Sequence, residues 1–194
     1  MKRLVVDIET TLDHKAIWLC CTLNIDTGEK HTWYQAKAFQ DYIEDATLLI
    51  GHNIISFDAY LLNSLWKTKI ALSKCYDTLI VSRLLNPSKS EGHSLASWGS
   101  ELGLQKIDYK EAWEQAMGRP EAYKGESYDE PLIELLNTYC LRDIEVTYLL
   151  HAFLVKETAE KGFSEASVLL EHQTAGIIAK QERNGFKLDI PYAT

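Results

Sequence analysis

The sequence predicts an α/β domain, a mixed sheet with helices on its faces. Three observations carry that prediction. Apolar, strand-like segments crowd the first fifty residues and are joined by a tight turn. A helical segment separates the third strand from the fourth, so the fourth can return parallel to the first. From residue 58 onward the apolar positions recur almost entirely at helical spacing. A dinucleotide-binding fold is disfavoured, because no glycine-rich loop follows the first strand.

The elements follow in chain order. Residues 3–9 (RLVVDIE) read as the opening strand and residues 16–25 as a second, strongly apolar one. Thr27-Gly28 marks a turn and residues 30–35 a third strand, which makes 16–35 a hairpin. Residues 37–45 have helical spacing through Phe39, Tyr42 and Ile43. Residues 47–50 form a short buried strand ending at Gly51. A helix opens at Asp58, with Tyr60, Leu61, Leu62, Leu65 and Trp66 on one face. Asp77-Thr78 begins another helix, stopped by Asn86-Pro87. Residues 88–93 are loop and 94–102 a helix ending near Gly103. The stretch 118–131, rich in Gly, Pro and polar residues, reads as a mobile loop. Two long helices follow, about 131–156 and about 164–184, the second closed by Asn184-Gly185. No internal repeat or low-complexity tract is present.

The chain has 194 residues, of which 46% are hydrophobic and 25% charged, the balance of an ordinary globular domain with a real core. No apolar run is long enough to cross a bilayer. Asp7 interrupts the N-terminal apolar stretch too early for a signal peptide, which places the chain in the cytoplasm, bacterial or of an infected host. Cys20, Cys21, Cys75 and Cys140 form no CxxC pair, so buried free thiols are expected rather than a zinc site. A net charge of −8 argues against a protein that coats long nucleic acid. It is compatible with an enzyme that grips a few nucleotides through metal ions, since a carboxylate cluster is acidic until its cations arrive.

Three local signals bear chemistry. Asp7 and Glu9 are two apart on a strand, so both side chains leave the same face. Acids are poor strand residues, and burying two together is costly unless a cation meets them. The bland alternative puts both at a solvated strand end. Gly51 to Asp58 (GHNIISFD) runs from strand through loop to helix. Asp58 there is a candidate ligand or a plain N-cap, Asn53 a contact residue or a turn former, and His52 a packing residue. In the long helix, Tyr139 and Asp143 stack four apart on one face. An exposed Asp143 paired with Arg142 or another base is the bland counterpart. Together, four carboxylates are suited to hard divalent cations such as Mg²⁺ or Mn²⁺. Two such ions about 3.5–4 Å apart are the arrangement of two-metal nucleases, one activating water and the other stabilising the leaving oxygen.

The segments VVDIET, GHNIISFD and YCLRD resemble the three motifs of DEDD-type 3′→5′ exonucleases. The tyrosine four residues before the last aspartate resembles the DEDDy branch. Beyond the motifs, CYDTLIVSRLL, GHSLASWGSELG and LLEHQTAGIIAKQERNGF look like stretches of family A replicative DNA polymerases from short-tailed bacteriophages, so the resemblance spans nearly the whole chain. It implies a ribonuclease H-like fold and two Mg²⁺ (or Mn²⁺) ions. Asp7 would bridge both ions, Glu9 and Asp143 would complete the water-activating site, and Asp58 would support the second ion. Tyr139 would bond the attacking water and Glu9 orient it. Thr10, Leu12, Asn53 and Phe57 would touch the terminal nucleotide. Asp77 matches a motif aspartate but equally a helix N-cap, and His93 is expected to brace the loop before the next helix. Asn53 precedes Asp58 by five positions, as in the phage type.

The resemblance implies a proofreading exonuclease acting on a DNA 3′ end, single-stranded or frayed, beside a polymerase chain or domain. Residues 1–163 would form the exonuclease domain, and residues 164–194 the helix and hinge that lead toward the polymerase. A free-standing ribonuclease similar to ribonuclease D is the alternative enzyme. An inactive primer-holding or partner-binding module is the alternative outside enzymes.

Overall fold

The computed structural model describes residues 1–107, 130–188 and 192. Its sheet has five strands in the order β3-β2-β1-β4-β5. These are β1 (Arg3–Thr10), β2 (Ile17–Asn24), β3 (Lys30–Trp33), β4 (Leu48–Gly51) and β5 (Cys75–Asp77). β1 pairs antiparallel with β2, and β2 with β3; β4 runs parallel to β1, and β5 to β4. The mixed sheet expected from the sequence is therefore present, with β1 at its centre. The hairpin turn is completed by Gly28, whose φ of 80° suits a residue without a Cβ.

Among the described residues six helices flank the sheet: α1 (Ala36–Ile43), α2 (Asp58–Leu65), α3 (Thr78–Leu85), α4 (Leu95–Glu101), α5 (Glu130–Glu160) and α6 (Glu165–Asn184). Two elements escape the sequence reading. A 3₁₀ turn, Leu72–Lys74, leads into β5, and β5 is only three residues long. The expected helix start at Asp77-Thr78 is correct, and the residues leading into it, which the sequence left unassigned, form an edge strand. The loop expected over 118–131 lies outside the described residues up to 129, and 130–131 already belong to α5.

Alternation along β1 sorts the core into two layers. Leu4, Val6 and Ile8 pack with Phe39, Ile54, Ile55, Ala59 and Leu62 on the side of α1 and α2. Val5 joins Leu19, Cys21, Leu23 and Ile50 against Leu132, Leu136, Cys140 and Ile144 of α5. Complete burial of Leu136 or Ile144 contributes roughly 1.5–3 kcal/mol each. A third cluster, Val81, Leu95, Trp98, Val146, Leu150 and Leu154, fixes α3 and α4 on the distal half of α5. All four cysteines are buried free thiols. Among the described residues no helix is long and apolar enough to cross a membrane.

Candidate active site

The parallel pair β1 and β4 ends on one edge of the sheet, and the candidate residues follow those two ends. On β1 the alternation that sends Val5 toward α5 sends Asp7 and Glu9 there too. α5 crosses the same face and brings Tyr139, Cys140 and Asp143 on consecutive turns. Ligand atoms of Asp7, Glu9 and Cys140 lie within 4.8 Å of one another. Cys140 Sγ donates to the main-chain oxygen of Asp7 at 3.5 Å, which ties α5 to β1 at the floor of the site. Asp58 arrives from the first turn of α2 and Asp143 from α5; both are buried. Asp58 is not the N-cap: Phe57 holds that position, and no side chain caps the helix.

These carboxylates sit where charge is expensive. Burial, then the charge of Asp143, raises Asp7 to about 7. Burial, then Asp7 and Asp143, raises Glu9 to about 9. Burial pushes Asp58 well above the carboxylate range, with Asp7 adding to the effect. Burial also raises Asp143, with Lys106 opposing. Asp7 thus feels the charge of Asp143, Glu9 that of both, and Asp58 that of Asp7.

Lys106 is the site residue the sequence reading missed. Its Nζ lies 2.5 Å from Asp143 Oδ2 and 4.6 Å from the centroid of the Tyr139 ring. Burial works against its charge, but Asp143 and Tyr139 outweigh it and the pKa ends above the ordinary value. Of the bland expectation for Asp143, exposed and paired with Arg142 or another base, the exposure is corrected, since Asp143 is buried; the pairing with a base holds, the partner being Lys106, while Arg142 pairs with Glu145. A lone lysine in the loop after α4 carries no local signal, so only the tertiary contact reveals it.

The donor set fits hard divalent cations. It offers carboxylate oxygens from Asp7, Glu9, Asp58 and Asp143, and buried Asp143 Oδ1 has no hydrogen-bond partner among the described residues. A buried acceptor left without a donor is costly, and a cation is one means of satisfying it.

The candidate nucleotide contacts surround the same edge. The β1–β2 register shifts between Glu9 and Thr10, which re-aims the chain as it leaves the sheet. Leu12 is 71% exposed in the segment that follows. Thr10 Oγ1 bonds His14 Nδ1 at 2.9 Å, and the His14 ring meets Phe57 edge-on at 5.1 Å. His14, with a φ of 54°, thus links two of the predicted residues. Asn53 also adopts a left-handed conformation, φ 70°, and its main-chain N donates to Asp77 Oδ1 at 2.9 Å. Asp77 does cap α3, accepting from the amide of Leu79 at 3.0 Å, but it also accepts from Ile55 N at 3.0 Å. His93 bonds Ser82 at 2.6 Å across the loop before α4, and His52 bonds Thr78 at 2.9 Å.

No family model matches the chain. In sequence it is homologous to the DNA-directed DNA polymerase of Enterobacteria phage T3, 28% identical across 96% of this chain and 33% of that protein. Identity to the DNA-directed DNA polymerase of Escherichia phage T7 is also 28%, over 73% of this chain and 26% of that protein. The chain therefore spans about a third or less of the curated relatives it matches. In structure it is similar to the family B DNA polymerase of the archaeon Pyrobaculum calidifontis, with a TM-score of 0.55 and 15% identity over 80% of this chain and 24% of that one. At that identity the likeness speaks for the fold. The α/β fold is ribonuclease H-like, as seen in a domain of a polymerase.

Proposed function

We propose that this chain is the 3′→5′ exonuclease part of a phage-type DNA polymerase and hydrolyses the terminal phosphodiester of a DNA 3′ end with two divalent cations. The observation that carries the reading is that α5 packs its Cys140–Asp143 turn against Asp7 and Glu9 of β1, where Asp143 Oδ1 is buried without a hydrogen-bond partner among the described residues, while Asp58 is buried at the first turn of α2. Homology to two phage DNA polymerases supports the nucleic-acid substrate and a polymerase partner.

Asp7, Glu9, Asp58 and Asp143 would together hold the two Mg²⁺ or Mn²⁺ ions. Bound there, the ions supply a more acidic water and neutralise charge on the leaving oxygen. The remaining work belongs to the side chains. Tyr139 projects from the turn before Asp143, and its hydroxyl would orient the attacking water. Glu9, beside Asp7 on the same strand face, would orient that water. Lys106 balances the charge of Asp143 and stacks over Tyr139, fixing both groups. Leu12 and Phe57 offer apolar surface to the last base, while Thr10 and Asn53 offer polar contacts to its sugar and phosphate.

Incubating the chain with 3′-labelled DNA and RNA oligonucleotides, in Mg²⁺ or Mn²⁺ and with EDTA as control, tests the reading. The expected result is stepwise, EDTA-sensitive shortening from the 3′ end, faster on DNA. Preference for RNA would replace it with the ribonuclease reading. Binding without cleavage would leave an inactive 3′-end-holding module.

A further inference from the structure

We infer that His172 of α6 is a positioning residue for the loop carrying Asn53, Phe57 and Asp58, acting on it through Asp77. The inference rests on the reading of that loop as part of a nuclease site, and it begins with an oddity of α6. This helix exposes Leu169, Leu170, Ile177 and Ile178, yet its buried residues are Ala179 and a histidine.

Both ring nitrogens of His172 are engaged. Nδ1–H donates to the carbonyl of Val168 at 2.7 Å, which fixes the neutral tautomer and leaves Nε2 as an acceptor. Nε2 accepts the main-chain N–H of Asp77 at 2.7 Å. Asp77 ends β5 and is fully buried, so without this partner its N–H would be an unpaired buried donor. The Tyr76 ring, 5.6 Å from His172 and 4.7 Å from His151, closes the flank of the contact.

From Asp77 the connection continues into the site. One carboxylate oxygen accepts from Asn53 N and Leu79 N, the other from Ile55 N. Asn53 holds a left-handed φ that a non-glycine residue adopts at a cost, and such a conformation persists only where its surroundings over-determine it. Asp77 supplies that constraint. Two further main-chain bonds, Phe57 N to Asn53 O at 3.0 Å and Ala59 N to Ile54 O at 2.9 Å, carry the fixed geometry to the first turn of α2, where Asp58 sits. A single buried hydrogen bond from α6 therefore sets the base on which the loop stands. A histidine that merely filled space would leave the loop indifferent to its loss.

Two variants separate the possibilities. His172→Asn keeps a donor near the Nδ1 position for Val168 and withdraws the acceptor from Asp77. His172→Gln restores an acceptor at about the Nε2 position. Amide hydrogen exchange should be at least about tenfold faster in His172→Asn at Asp77, Asn53 and Ile55, with β1 and β2 amides unchanged. On a saturating DNA oligonucleotide kcat should fall about 10–100-fold, the scale of a small misplacement of catalytic groups, with KM within about threefold. His172→Gln should recover most of both. Uniform loss of protection across the sheet, wild-type protection at Asn53 and Ile55, an unchanged kcat, or a glutamine variant as impaired as the asparagine one would overturn the inference. If His172→Asn does not fold, the wild-type protein still decides: Asp77, Asn53 and Ile55 must exchange through one common opening, and unequal openings refute it. A wild-type chain that leaves DNA and RNA uncut defeats the nuclease reading alone, because the exchange measurement needs no activity.

Discussion

Asp7 illustrates how one side chain can weaken the fold and yet be required by the proposed mechanism. Its folded pKa, about 7 against an ordinary 3.8, means that at neutral pH the metal-free protein holds a carboxylate whose charge burial and Asp143 disfavour. Asp7→Ala should therefore raise the melting temperature of the EDTA-treated protein while lowering cleavage to the limit of detection; differential scanning calorimetry and the oligonucleotide assay check the two halves. Retained cleavage would remove Asp7 from the centre of the mechanism. Tyr139→Phe isolates the hydroxyl. The rate should drop roughly 10–1,000-fold, as for loss of one preorganised hydrogen bond, with 3′-end affinity little changed. Single-turnover kinetics with fluorescence anisotropy would separate the two. At this scale the sequence was informative where a residue violated its local environment. Acids inside an apolar strand and an aspartate in mid-helix announce themselves. Lys106 and His172 do not, because a lysine in a loop and a histidine in a helix are unremarkable until the chain is folded around them.

Among the elements, β1, β2 and the long helices were legible because each is long enough to show a period. β5 was not: three residues, Cys75 to Asp77, are too few to alternate, and their strand character comes from pairing with Leu49 to Gly51. The β4–loop–α2 unit is where local geometry is tightest. A Cβ built on Gly51 would lie 2.7 Å from Ile54 Cβ and 3.1 Å from the Val6 carbonyl, so the strand can end there only without a side chain. Gly51→Ala should cost about 1–3 kcal/mol by overpacking. Because Ile54 must shift, it should also lower kcat. Urea titration of the variant would show the midpoint falling at constant slope; an unchanged midpoint would mean that the loop relaxes freely.

For the molecule as a whole, burial of its acids makes stability depend on pH in an uncommon direction. Asp7 and Glu9 have folded pKa values raised to about 7 and about 9 above their ordinary 3.8 and 4.5. Their contribution is fully present below the ordinary values and is lost as pH rises through the folded ones. Burial lowers His52 and His151 to about 4, so up to their ordinary 6.5 they favour the folded state as pH rises and oppose the acids; the metal-free protein should therefore lose melting temperature between about pH 7 and 9. Saturating Mn²⁺ should flatten or reverse the trend, since the ligands must be deprotonated to bind. Thermal melts across that range with and without Mn²⁺ would test this, and a metal-free protein that grows steadily more stable toward pH 9 would contradict it.

The carboxylates reach their meeting point from positions 7 and 9 on β1, 58 on α2 and 143 on α5, far apart in the sequence. Such a site has no existence in a partly collapsed chain, because nothing local holds any two of its three segments together until α5 has closed over β1. A cation that recognises the finished cluster is therefore blind to the climb toward the folding barrier and acts only on what lies beyond it. In a stopped-flow experiment Mn²⁺ should leave the refolding arm of the chevron where it was and slow the unfolding arm by about the factor 1 + [Mn²⁺]/Kd. The ion would then act as a latch closed after folding, lengthening the life of the native state without hastening its arrival. Faster refolding in Mn²⁺ would instead mean that Asp7, Glu9 and Asp143 find one another before the barrier is crossed.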